Sequence, residues 1–162
     1  MSFYRNAGEL IFGTRLRRLS DRFLLDVSRT YKRLSIPFET SWFPLFFLLD
    51  REETLSVTEI ARELEITHSA VSQLASNIAK RGYIEFYPDA HDRRKRIMRF
   101  TSAGRELVEQ VRPVWGAIQR AMCSLLEETD SGAPLFTALD SVEDSLSENS
   151  LHERILDELD NS

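Results

Sequence analysis

Two clusters of side chains in this sequence have the types and spacing to do chemistry. The first is a helical stretch from Thr67 to Lys80. At about 100° per residue, Val71, Leu74, Ala75 and Ile78 fall on one side of it. Ser69, Ser72, Gln73, Ser76 and Lys80 fall on the other, with His68 at the edge and Thr67 at the start. These side chains are short or amide-bearing and mostly uncharged. They suit base edges in a major groove, where Gln pairs with adenine and Ser serves several donors and acceptors. A helix that merely faces solvent more often carries Glu–Lys pairs. Any single residue could still be ordinary polar surface. The second cluster is His91-Asp92-Arg93-Arg94-Lys95-Arg96. Arg93, Arg94, Lys95 and Arg96 put four cations on one loop, and such a loop can enter a narrow minor groove, where the negative potential is strongest. Phosphate contact or simple solvation would use the same residues. Asp92 runs against that charge, so its expected part is structural: it pairs with a neighbouring arginine and fixes the loop.

Other chemistries have no foothold. There is no Ser/His/Asp or Cys/His arrangement, no Gly-rich phosphate loop and no metal-ligand spacing. We therefore expect neither an enzyme nor a metal or cofactor protein. His68, His91 and His152 lie far apart. Cys123 is the one cysteine, which excludes an intrachain disulfide framework, and it reads as a small buried hydrophobe beside Met122. No apolar run is long enough to span a bilayer, and the N-terminus has no apolar signal core before its first charges, so a soluble cytoplasmic protein with no membrane partner is expected.

The elements around these clusters follow from length and periodicity. A chain of 162 residues, 42% hydrophobic and 29% charged, is enough for one domain with a real core. Six Gly and five Pro are few, which favours helices over a turn-rich β fold. From Asn6 to Leu34 the residues Phe12, Leu16, Leu19, Phe23, Val27, Tyr31 and Leu34 step by three and four, which predicts one helix ended by Ile36-Pro37. At about 43 Å, it is too long for one small domain to cover, so part of its stripe should meet another chain. Ser41 is expected to cap a second helix with Pro44 in its first turn, and Asp50–Thr54 to form a loop. Ser56 and Glu59 make a capping box for a short helix. Gly82 should stop the Thr67–Arg81 helix as a left-handed residue. Two short strands then flank the basic tip. A helix from Ala103 to Leu126, bent at Pro113, and two further helices complete the chain.

Two short helices, a tight turn and a hairpin make a helix-turn-helix followed by a wing. The expected fold is mainly α with a small β-hairpin wing. Residues 41–102 hold the winged helix-turn-helix. Residues 1–40 and 103–162 form a helical dimerisation region, all in one compact chain. The net charge of −5 conceals this layout: from Glu127 onward there are 11 acidic residues against one basic, whereas Lys80–Arg105 holds eight basic against three acidic. That asymmetry points toward a polyanion partner.

Leu55–Gly104 resembles the DNA-binding core of the MarR family of bacterial transcriptional regulators. The resemblance rests on Leu55-Ser56-Val57-Thr58-Glu59-Ile60-Ala61, on Ser69-Ala70-Val71-Ser72-Gln73-Leu74 and Lys80-Arg81-Gly82-Tyr83-Ile84, and above all on Asp92-Arg93-Arg94 followed by Phe100-Thr101-Ser102-Ala103-Gly104. The family pattern is Asp-x-Arg in the wing and Leu-Thr-x-x-Gly at the next helix; Phe100 replaces the Leu. The terminal helices match the family's dimerisation region in order and length. The resemblance implies a homodimer on a pseudo-palindromic operator in double-stranded DNA, most often a repressor. It makes Arg94 the wing arginine of the minor groove, Asp92 its stabilising partner, and Thr67–Lys80 the recognition helix. It also implies release by a small aromatic effector, for which Phe38, Trp42 and Phe46 are the candidate pocket wall. An apolar stripe at that spacing is more often core than pocket. The competing class is a winged-helix module that binds protein rather than DNA, in which an arginine cluster at the wing would have no use.

Overall fold

Gly8 divides what the spacing predicts as one helix. In the computed structural model, which describes residues 3–88, 96–129 and 132–161, a short helix α1 (Phe3–Asn6) is followed by a 3-10 turn (Gly8–Ile11) and then by α2 (Phe12–Arg33). Gly8 takes a φ of 60°, open to glycine at little cost. The other end of α2 also differs from expectation. It stops before Pro37 is reached, because Ser35 enters the left-handed region at φ 55°. Its N–H bonds to the Lys32 carbonyl and that of Ile36 to the Tyr31 carbonyl, the Schellman pattern. Tyr31 is the buried residue of α2; Phe12, Leu16 and Leu19 stay exposed.

A 3-10 turn (Thr40–Trp42) leads into α3 (Phe43–Glu52). Ser41 does not cap it. Trp42 holds the N-cap position without a side-chain bond, and Pro44 in the first turn has no N–H to satisfy. The helix also runs through Asp50–Glu52, where the charge pattern suggested a loop. Asp50 is held by Arg112 at 2.8 Å, and Glu53, at φ 61°, closes the helix with its N–H on the Leu49 carbonyl.

Next come β1 (Leu55–Ser56), α4 (Val57–Glu63), α5 (His68–Lys80), β2 (Ile84–Pro88) and β3 (Arg96–Phe100). The sheet is antiparallel in the order β1-β3-β2, with Ile84 opposite Phe100 and Pro88 opposite Arg96. β1 has no sequence signature, since two residues show no alternation; it is a strand because Leu55 and Ser56 pair with Met98 and Ile97. Leu45, Phe46, Leu49, Ile60, Val71, Ala75, Ile78 and Met98 form the core between sheet and helices.

The remaining helices are α6 (Ser102–Glu128), α7 (Gly132–Glu148) and α8 (Leu151–Asp160). The chain divides into two compact units, Met1–Trp115 and Gly116–Ser162. In the second unit α7 and α8 bury no residue, although both carry apolar stripes. A second capping box, Ser150 with Glu153, starts α8. Cys123, expected to be buried, is exposed, because the α6 turns beyond Trp115 have little packed on them within the chain. Among the described residues no helix is long and apolar enough to cross a membrane, and no group of His, Cys, Asp and Glu could hold a metal ion.

Candidate nucleic-acid interface

The polar face of α5 is set by the caps on either side of it. α4 begins at the expected box: the Ser56 hydroxyl accepts from the Glu59 N–H, and the Glu59 carboxylate accepts from the Ser56 N–H. It ends four residues before α5 in another Schellman pattern. Here Glu65, at φ 53°, occupies the position that glycine would fill, and Ile66 donates to the Ala61 carbonyl. Thr67 then caps α5, its hydroxyl accepting from the Ala70 N–H at 3.2 Å. Thr67 is exposed, but its hydroxyl already has this local bond. The far end of α5 closes on Gly82 at φ 81°, with Gly82 donating to Ala79 and Tyr83 to Ile78.

Held this way, α5 turns Val71, Ala75 and Ile78 into the core and leaves His68, Ser69, Ser72, Gln73, Ser76 and Lys80 exposed. No residue of α5 is acidic. Ser72, Ser76 and Lys80 line a groove of about 470 Å³ that Val57, Ala79, Phe86 and Arg96 complete. Among the described residues of the hairpin, Arg96 is the cation brought to the α5 face. Arg96 also lies over the Phe86 ring at 4.6 Å, which holds the guanidinium at the groove. Asp92, Arg93, Arg94 and Lys95 lie outside the described residues.

Phe86 is the residue of this groove that sequence reasoning passed over. It lies on one of the two short strands, and the neighbour of a strand face is known only from the register. The same holds for Arg99. It sits opposite Glu85, with a 2.7 Å ion pair, and above the Tyr87 ring at 4.7 Å. The hydrogen bond from Arg99 to Glu85, with the attraction between the two charges, pushes the guanidinium pKa further up. So Arg99 brings its charge to the wing already compensated, whereas among the described residues no acidic one lines the groove around Arg96 and Lys80.

The junction from hairpin to α6 explains the Thr-x-x-Gly spacing. The Thr101 hydroxyl donates to the Gly82 carbonyl at 2.6 Å and accepts from the Gly104 N–H at 3.1 Å. One side chain thus caps α6 and pins the turn behind α5. Gly104 lies against that turn so closely that a Cβ would overlap the Tyr83 carbonyl oxygen and meet Phe100 at 3.0 Å. Only glycine fits.

Phe38, Trp42 and Phe46 are all buried and pack on one another. Phe38 meets the Phe46 ring edge-on at 5.0 Å, and the Trp42 and Phe46 rings stack at 6.1 Å. Tyr31, Trp115, Tyr83 and Phe100 extend the cluster. Trp115 Nε1 donates to Tyr31 Oη at 3.1 Å, joining α2 to α6. Burial pushes the Tyr31 phenol pKa up against the lowering effect of that bond. From the cluster, Arg81 reaches back from the end of α5 over the Trp42 ring and pairs with Glu39 at 3.2 Å.

Residues 36–95 match the model of the MarR family. The match spans 60 of the 162 residues, and this segment is similar to the winged helix of that family. Around it the fold extends to solved structures at low identity. A DNA complex of MepR from S. aureus has a TM-score of 0.67 at 23% identity, covering 80% of this chain and 97% of MepR. A cysteine-to-serine variant of MarR from E. coli bound to operator DNA has a TM-score of 0.70 at 16% identity, covering 88% and 99%. BpsR from Bordetella bronchiseptica, whose DNA binding is regulated by 6-hydroxynicotinic acid, has a TM-score of 0.59 at 21% identity, covering 82% and 98%. No curated protein sequence matches the chain. Two of these structural neighbours are bound to DNA, and the third binds DNA. In this chain α4 and α5 form the helix-turn-helix within the matched segment, and β3 and the Thr101–Gly104 joint to the long helix follow it.

Proposed function

We propose that this protein is a sequence-specific DNA-binding transcriptional regulator, a homodimeric repressor acting on a pseudo-palindromic operator in the cytoplasm. One observation carries the reading: α5 exposes a face of Ser, Gln, His and Lys side chains without a carboxylate, beside a groove that ends at Arg96. Such a face can enter the major groove and hydrogen-bond base edges without repelling phosphates. Ser69, Ser72, Gln73 and Ser76 read bases; His68, Lys80, Arg96 and the Thr67 end of α5 lie where backbone contacts fall. In this reading Arg93, Arg94 and Lys95 carry the wing into the flanking minor groove, and Asp92 orders it. Residues 41–102 bind DNA and residues 1–40 with 103–162 hold the dimer. The exposed apolar residues of α2, α7 and α8 support the second part, since stripes of this size are covered in a working protein. Release by an aromatic effector belongs to the same reading, with the rings of Phe38, Trp42 and Phe46 as the site it would part. Its support is the ligand control of a structural neighbour, BpsR.

The test is an electrophoretic shift with duplex DNA from upstream of the chain's own gene, followed by genome-wide mapping of binding sites. Discrete palindromic sites are expected. Binding to a protein partner with no shift on any duplex would favour the protein-interaction reading instead. For the wing, Asp92→Ala should weaken DNA binding although it removes a negative charge; tighter binding would overturn its structural role. For the effector, a panel of phenols and aromatic carboxylates should change both tryptophan fluorescence and operator affinity. A panel that changes neither would leave the three rings as core.

A further inference from the structure

Lys80 and Arg81 stand side by side at the end of α5 and are used differently. Lys80 lines the groove that Arg96 completes. Arg81, the C-cap residue, goes elsewhere. Its guanidinium pairs with the Glu39 carboxylate at 3.2 Å and lies 5.9 Å from the centre of the Trp42 ring. Glu39 and Trp42 belong to the connection between α2 and α3. The Glu39 backbone is extended there, and its carbonyl accepts from the Trp42 N–H, so the carboxylate and the ring are presented together.

The contacts continue on both sides. Tyr83, just past α5, also meets the Trp42 ring, at 5.7 Å. Phe38 meets Trp42 at 5.8 Å and the Tyr31 ring of α2 at 5.0 Å. A packed path thus runs from α2 through Phe38 and Trp42 to the end of α5. Thr67, Gly82 and Thr101 fix α5 inside the winged helix. Arg81 fixes it to the connection from α2.

On a pseudo-palindrome the half-site spacing has to match the separation of the two recognition helices. One added base pair moves a half-site by about 3.4 Å and turns it by roughly 35°. A winged helix free to swing on α2 follows such a change at little cost, whereas a braced one does not.

We propose that Arg81 is a positioning residue for operator recognition: held by Glu39 and Trp42, it sets the orientation of α5 on α2, and with it the half-site spacing that the dimer accepts. This rests on the reading of the chain as a DNA-binding homodimer with α2 in the dimer region. An exposed ion pair and an exposed cation over a ring are each weak, so the brace tunes spacing and does not decide binding.

The experiment is fluorescence anisotropy of the full chain on two duplexes, the mapped operator and the same operator with one base pair inserted between its half-sites. The readout is the ratio of the two affinities. Arg81→Gln and Glu39→Gln should each lower that ratio about three- to tenfold. Both should melt with the parent, since both side chains are exposed. Arg81→Lys, which can keep the ion pair, should retain most of the ratio. Glu39→Gln is the sharper variant because it leaves every basic residue in place. If Arg81 instead touched phosphate, Glu39→Gln would free it and tighten binding to both duplexes alike, and Arg81→Gln would lower the salt slope of the dimer by about 1.8. That result, or an unchanged ratio in both glutamine variants, would overturn the brace while leaving DNA binding and the homodimer standing. A parent chain that is monomeric at micromolar concentration, or that binds no duplex at low salt, would overturn the underlying reading as well.

Discussion

The winged helix and the C-terminal helices are built from similar apolar periodicities and end differently. In α3, Leu45, Phe46, Leu48 and Leu49 are buried, and the core they enter is closed by the sheet, α4 and α5. In α8, Leu151 and Leu159 stand 61% and 66% exposed, and no residue is buried. An amphipathic stripe thus specifies a helix and the side it must cover, but not whether the cover comes from the same chain. The winged helix covers its stripes within the chain, whereas α7 and α8 bury no residue.

Substitutions in the two regions should behave differently. Trp42→Ala, at a site 1% exposed, should cost about 3–5 kcal/mol in urea unfolding. Leu159→Ala, by contrast, should leave the stability of the dissociated chain within about 0.5 kcal/mol and show itself only in association. Equal costs at the two sites would erase the distinction. Gly104→Ala comes next, at about 3 kcal/mol, because the added methyl has only backbone to push against. A neutral result there would contradict the tight joint between Tyr83 and α6.

Tyr31→Phe should cost about 1–2 kcal/mol, since it leaves Trp115 Nε1 without its acceptor in a partly buried site. The same hydroxyl gives the winged-helix unit a pH dependence. Its pKa is raised above 10.0 in the fold, so the stabilisation is intact below that value and is lost as pH climbs past it. Melting temperatures of parent and Tyr31→Phe should therefore converge on the alkaline side. The smallest effect is a gain. Glu65→Gly should stabilise by up to about 1 kcal/mol, relieving a left-handed non-glycine residue between α4 and α5.

How much of this was legible in the sequence depended on whether the signal was local. The Ser56–Glu59 box, the Gly82 stop and the buried side of α5 rest on residues within a turn of each other, and the structure repeats them. The helix end at Ser35 and the turn at Glu65 were hidden, because nothing in a serine or glutamate announces a left-handed backbone. Asp50–Glu52 looked like a loop until Arg112, far along the chain, supplied the charge that holds it in α3. β1 and the Glu85–Arg99 pair exist only through register, which a single sequence does not display. In the candidate site the polar face of α5 was readable from its spacing, whereas Phe86 in the groove was not. Cys123, read as a small hydrophobe beside Met122, is exposed, because residue type alone does not say which turns of α6 are covered.

In the proposed function the exposed face of α5 reads DNA bases. The most direct measurement is fluorescence anisotropy of a labelled operator duplex and a scrambled duplex, titrated with the parent chain and with Gln73→Ala across a salt series. Parent binding to the operator should exceed that to the scrambled duplex by about a thousandfold or more, and both should weaken as salt rises. Gln73→Ala should lose about 1–3 kcal/mol on the operator, keep its affinity for the scrambled duplex, and leave the salt slope unchanged. Equal losses on both duplexes, or no binding to either at low salt, would contradict the account.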